Sequence, residues 1–215
     1  IKQVNPDGRV FFYLEKKIKD WTIEFKSNFD VDINKTLNKK KNHLDGCITF
    51  YGMKFENLNI KSTNGICEDS INFIKSHGSI KKMEVTNSFS DAIDMDFSKI
   101  KIFSAKVNKS GNDCMDMSFG QYVVNNLDLL NCKDNGISVG EKSKFESIDL
   151  LVRNSENALA VKDSSIANIE NFNSINNNFC FRLYNKKKEF DGGALKVNNL
   201  NCDTTYFIDK TSKYN

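Results

Sequence analysis

CysGluAspSerIleAsnPhe (67–73), PheSerAspAlaIleAspMet (89–95), GlyAsnAspCysMetAspMet (111–117), LysAspAsnGlyIleSerVal (133–139) and SerGluAsnAlaLeuAlaVal (155–161) are one pattern written five times. The position held by Asp69, Asp91, Asp113, Asn135 and Asn157 returns every 22 residues. A fixed period in the twenties marks a solenoid, in which no single repeat can bury its apolar face without its neighbours.

Within each copy apolar and polar residues alternate: Ile93 and Met95 with Asp94 and Asp96, Met115 and Met117 with Asp116 and Ser118, Ile137 and Val139 with Ser138, Leu159 and Val161 with Ala160 and Lys162. Period-two alternation predicts a strand with one face in and one face out. A second apolar patch follows in every copy: Ile80, Met83, Val85; Ile100, Ile102, Val107; Val124, Leu127, Leu129; Ile148, Leu150, Val152; Ile166, Ile169. Two or three short strands in 22 residues leave no room for a helix. The expected fold is therefore all-β, a parallel β-helix with about 22 residues per coil. Val124, Leu127, Leu129 and Cys132 also fit a leucine-rich repeat, but the other copies favour Ile, Val, Met and Phe, which suit strands.

Outside the repeats, residues 1–43 lack the period and are expected to form N-terminal strands, at Val10 to Leu14 and Trp21 to Phe25, as a cap or the remnant of a preceding domain. The β-helix is expected over 44–202, its first regular coil starting near 46–51, and 203–215 as a loose tail. Asn87, Asn131 and Asn154 recur at one corner as an expected amide ladder. The chain begins at Ile1 without Met, which reads as a processed product or an excised piece with neighbouring domains.

A formal charge of +3 is too small to imply nucleic acid. No apolar run reaches the ~18–20 residues of a membrane span, so no membrane insertion is expected. The lysine runs 39–41 and 186–188 read as solvated loops. Six cysteines without a Cys-x-x-Cys pair argue against zinc. Cys47 and Cys114 fall in a column of small residues, Ser70, Ala92, Gly136 and Ala158. Buried thiols are the plain expectation there, with a disulfide between coils as the alternative.

The outward residues form a strip of Asn72, Asp94, Asp96, Asp116, Ser118, Ser138 and Lys162, with Asp69, Asp91 and Asp113 at the strand entrances. Stacked carboxylates repel, so an acidic strip beside hydroxyls and a lysine suggests a site. The competing reading makes Asp69, Asp91 and Asp113 turn caps.

SerAspAlaIleAsp (90–94), GlyAsnAspCysMet (111–115), AspAsnGlyIleSerValGly (134–140) and AlaValLys (160–162) resemble, in order, the four motifs of polygalacturonases, right-handed parallel β-helices that hydrolyse acidic polysaccharides with inversion. The resemblance assigns Asp91 and Asp113 to two catalytic aspartates and Lys162 to substrate binding. Asn112 stands where the proton-donating aspartate belongs, Asn135 replaces the histidine and Ala160 the arginine. An inverting glycosidase needs a general acid, so standard polygalacturonase chemistry is not expected.

GluAspSer (68–70), AspAlaIleAsp (91–94), GlyIleSerValGlyGlu (136–141), AlaValLysAspSerSer (160–165) and TyrAsnLysLysLysGluPhe (184–190) resemble bacterial right-handed β-helix repeat proteins of the cell surface. This resemblance implies an extracellular or cell-envelope setting. Three function classes follow. The first is a module that binds or processes a polysaccharide or oligosaccharide, with Asp91, Asp113 and Lys162 as candidate catalytic residues and Asp94, Asp96, Asp116, Ser118 and Ser138 as candidate binding residues. The second is a non-catalytic scaffold. The third is a Ca²⁺-assisted lyase or epimerase; no cofactor is required otherwise, and hard carboxylate oxygens suit Ca²⁺.

Overall fold

The computed structural model describes residues 1–31 and 46–215, so the Lys39–Lys41 loop lies outside the described residues. The chain winds as a parallel β-solenoid. Among the described residues it contains no helix and two parallel sheets, one of nine strands and one of eleven. The absence of helix removes the leucine-rich alternative.

The nine-stranded sheet carries the repeated pattern. Its strands include Gly46–Tyr51, Asp69–Ile74, Asp91–Asp96, Met115–Ser118, Asn135–Gly140, Asn157–Lys162 and Phe179–Tyr184. Their register holds the repeat in step: Ile71 pairs with Ile93, Ile93 with Met115, Met115 with Ile137 and Ile137 with Leu159. The inward residues form stacks of like side chains, such as Phe50 on Phe73 at 4.8 Å between ring centroids. All of them are buried. Facing them, the eleven-stranded sheet supplies Ile80, Ile102 and Val124, then Val85, Val107 and Leu129, to the same interior. Ile148 and Ile166, expected inside, are exposed; Phe145, Ser147 and Ala167 take the buried positions beside them.

Residues before the repeats join both sheets. Val10–Phe12 pairs in parallel with Gly46–Tyr51, and Thr22–Ser27 with Lys54–Thr63. The expected loose tail also adds strands, Thr205–Ile208 on Phe179–Tyr184 and Lys213–Tyr214 on Ala194–Cys202.

Corners are built from ladders. Asn64, Asn87, Asn131, Asn154 and Asn176 all have φ between 56° and 61°. Asn tolerates this left-handed conformation. Their amides bond along the axis, Asn87 to Asn64, Asn154 to Asn131 and Asn176 to Asn154. Lys109 interrupts the series, and Asn131 donates to Asn108 instead. At the opposite corner Ser76, Ser98, Ser143 and Ser165 stack, with backbone amides donating to the hydroxyl of the next coil.

The cysteines are not thiols. Cys47–Cys67, Cys114–Cys132 and Cys180–Cys202 are disulfides, and no described cysteine is free. Each closes one coil on itself rather than linking two coils. The reason is the small-residue column, which lies where the end of an eleven-stranded-sheet strand meets the start of a nine-stranded-sheet strand. At Ser70 that gap is spanned by a hydroxyl pair with Ser62 at 2.7 Å. At Gly136 any side chain would run into Val152. Cα–Cα separations of 5.3, 5.4 and 6.0 Å suit a disulfide there.

Candidate functional site

Register alone aligns the outward residues. Asn72, Asp94, Asp116, Ser138, Ala160 and Arg182 form one continuous column across the nine-stranded sheet. One step along each strand, Asp96 pairs with Ser118 and Ser118 with Gly140. Neighbouring coils lie about 4.8 Å apart, so Asp94, Asp96 and Asp116 form a compact acidic group.

The strip is a trough. Ser138 faces outward and yet is 0% exposed, and its Oγ has no hydrogen-bond partner. The expectation that Ser138 lies open to solvent is therefore corrected. Lys162 is 6% exposed and lies against Gly140, where a Cβ would sit 3.0 Å from the lysine Cε. The lack of a side chain at Gly140 gives the lysine its path along the trough. The Lys162 ammonium has no hydrogen bond or ion pair among the described residues. Burial lowers its pKa, but Asp116, Tyr184, Asp113 and Glu141 outweigh burial and hold it above the ordinary lysine value. It is the buried cation of an acidic trough.

Burial works on the carboxylates in the opposite sense. It is the first cause at Asp94, which is held well above the usual range with help from Asp69, Asp96 and Asp116. Asp96 is pushed up to about 6 by burial and then by Asp116 and Glu141. Asp91 and Asp113 are each pushed up to about 7, burial again leading. Among the described residues no three His, Cys, Asp or Glu side chains are grouped to hold a metal ion.

Asp91 and Asp113 sit in a different setting from the strip. Asp91 Oδ1 accepts from Asn112 Nδ2 at 2.7 Å and from the Asp113 backbone N–H at 2.8 Å. Asp113 Oδ1 accepts from the Asn135 backbone and side chain at 2.9 and 2.7 Å, and Asn135 Oδ1 accepts from Asn157. This entrance column is a coil-to-coil ladder. Asn72 ties it to the strip by donating to both Asp69 and Asp94 at 2.9 Å.

Several residues in and around the trough are not evident from the repeat. Glu141 accepts from Ser118 Oγ at 2.6 Å and pairs with Lys187. Lys187 belongs to an insertion. Asn171 bonds across 22 residues to Asp149, but Asn199 bonds across 28 to Asn171. The extra residues near 185–190 double back, anchored where Asp163 Oδ1 accepts the Lys186 and Lys187 amides. Phe190 reaches the edge of Phe119. At the far end Arg182 lies over the rings of Phe179, Tyr184 and Phe207.

Beside the trough stands an aromatic pair. Phe97 and Phe119 follow Asp96 and Ser118 at the corner and stack at 4.8 Å with rings 1° from parallel. They are 51% and 41% exposed. Both are left-handed, with φ of 50° and 52°, a conformation that costs a bulky residue roughly 1–2 kcal/mol. The signal was present in the sequence as two phenylalanines 22 residues apart in the phase after the outward strand residue. Comparison with protein-family models, curated proteins and solved structures finds no match.

Proposed function

We propose that this solenoid binds a polysaccharide laid along its axis, with sugar rings on Phe97 and Phe119 and hydroxyls directed to Asp94, Asp96, Asp116, Ser118 and Lys162. The observation that carries the reading is the aromatic pair. The left-handed turn recurs at this corner in Gly52, Lys75 and Asp163; what singles out the pair is two large apolar rings left exposed beside hydrogen-bonding groups. A flat apolar face beside hydrogen-bonding groups suits a sugar, which has both. The coil spacing of about 4.8 Å repeats the same contacts along the axis, as a linear polymer requires.

Winding is inferred to be right-handed, as for nearly all parallel crossovers, which is consistent with a pectate-lyase-like relationship. Three disulfides favour an oxidising, extracellular or envelope location. A scaffold role is favoured for one column only, Asp91 and Asp113, whose Oδ1 atoms are engaged by the next coil. Asn112, bonded to Asp91, cannot act as a general acid, so binding without polygalacturonase hydrolysis is the expected behaviour.

The test is a glycan array followed by calorimetry on the hits, with Phe97→Ala/Phe119→Ala alongside the wild type. Binding that is lost in the double variant, with no release of reducing ends from polygalacturonate, is the expected result. A blank array would leave the scaffold role as the function.

A further inference from the structure

On the other side of the aromatic pair the charge reverses. Around the corner from the trough, Phe97 and Phe119 line one wall of a groove of about 420 Å³ whose remaining lining includes His77, Lys99, Lys142 and Lys144. His77 pairs in register with Lys99, and Lys99 and Lys144 both flank Gln121. All three lysines are exposed, and among the described residues none has a carboxylate within ion-pair distance. Lys142 instead lies over the Phe190 ring at 5.5 Å. The groove lining contains no Asp or Glu and no Arg.

Three exposed lysines without a carboxylate partner among the described residues leave this groove with unneutralised positive charge. Lysine is a compact point charge that can approach an anionic oxygen, whether of a carboxylate, a sulfate or a phosphate, from any side. A ring stacked on Phe97 or Phe119 would hold a substituent within reach of this cluster.

We propose that the corner groove binds an anionic group, a carboxylate, sulfate or phosphate, carried on a sugar ring, with the ring on the phenylalanines and the anion among Lys99, Lys142 and Lys144. The proposal rests on the polysaccharide reading and adds the substituent that the polymer carries. The trough would then meet the hydroxyl edge of the polymer and the groove its anionic edge, so the two faces of the corner fix which way round the polymer lies.

Calorimetry with dextran sulfate, carboxymethyl dextran of matched charge density and uncharged dextran tests this. Dextran sulfate is expected to bind more tightly than uncharged dextran. Lys99→Gln/Lys142→Gln/Lys144→Gln is expected to weaken it by about tenfold, from three exposed charge contacts. The remote control Lys196→Gln/Lys210→Gln/Lys213→Gln, which removes the same net charge, is expected to leave it unchanged. Inorganic sulfate and phosphate should compete. Equal loss in both triple variants would overturn the proposal, because net charge alone would then explain binding. Affinity for uncharged dextran equal to that for the charged dextrans would overturn the proposal, and the order of dextran sulfate and carboxymethyl dextran names the anion. If no dextran binds, or only uncharged dextran does, the oxyanion site falls; the polysaccharide reading falls with it only if the glycan array is also blank.

Discussion

The Tyr122 hydroxyl stands in for a side chain that Gly120 lacks. In the serine ladder, Ser76 Oγ donates to Phe50 O and Ile74 O, and Ser98 Oγ to Phe73 O and Asp96 O. One coil further on the ladder position is Gly120. There Tyr122 Oη donates to Met95 O at 2.7 Å and Ser118 O at 3.1 Å, and it accepts from the Ser98 backbone N–H. A Cβ at Gly120 would overlap that hydroxyl.

The two positions should therefore be coupled. Gly120→Ser alone forces Tyr122 out, and Tyr122→Ile alone leaves buried backbone groups unpaired, each at about 1–3 kcal/mol. Gly120→Ser with Tyr122→Ile rebuilds the serine ladder and should recover part of the loss, the remainder being the contact of the new Cβ with Ser98 O, 2.5 Å away. Chemical denaturation of all four proteins measures the coupling. Additive losses would show that the hydroxyl does not replace the serine.

Phe97→Asn should stabilise the fold by about 1 kcal/mol, because Asn accepts the left-handed conformation at little cost and leaves solvent no exposed ring. The same variant should bind oligosaccharide more weakly. A variant that loses stability would place Phe97 among the structural residues.

Stability should fall as pH rises from about 4 to about 7. Asp91, Asp94, Asp96 and Asp113 all hold their protons more tightly in the folded chain than in the unfolded one, where the pKa is near 3.9. Between those pH values the folded state binds more protons, so their contribution is complete below about pH 4 and lost as pH climbs through the folded values. Glu141 works in the opposite direction: burial raises its carboxyl, but Lys187 and Ser118 outweigh burial and hold it below the ordinary glutamate value. Melting at pH 5 should exceed melting at pH 8, and Asp94→Asn/Asp96→Asn should shrink the difference. A rise in melting temperature toward pH 8 would contradict the burial of these carboxylates.

Ser138→Asp should cost several kcal/mol, since it adds a charge at a fully buried position next to Asp116. Ser138→Ala should be neutral or mildly stabilising, because the hydroxyl it removes has no partner. Equal tolerance of both in thermal melts would mean that the trough is open.

Removing Cys114–Cys132 as a Ser/Ser pair should cost about 3 kcal/mol, the scale expected for closing a loop of one coil. The loss should match the effect of reductant on that bridge alone, measured with the other two bridges already replaced.

The sequence by itself determined the coil. A period of 22 with alternating strands fixes which residues stack, because parallel register adds one coil each time and carries the phase forward unchanged. Ile71, Ile93, Met115, Ile137 and Leu159 stack in the core for this reason, and the Asn corner ladder follows from the same arithmetic. What the period cannot contain is contact between residues of different phase. Cys114 meets Cys132, Tyr122 fills the gap at Gly120, and Lys187 reaches Glu141 only because corners and an out-of-period insertion fold across the coils. The tertiary structure likewise decided that Ser138 and Lys162 are buried although they point outward, since burial depends on what rises beside a strand and not on the strand's own alternation.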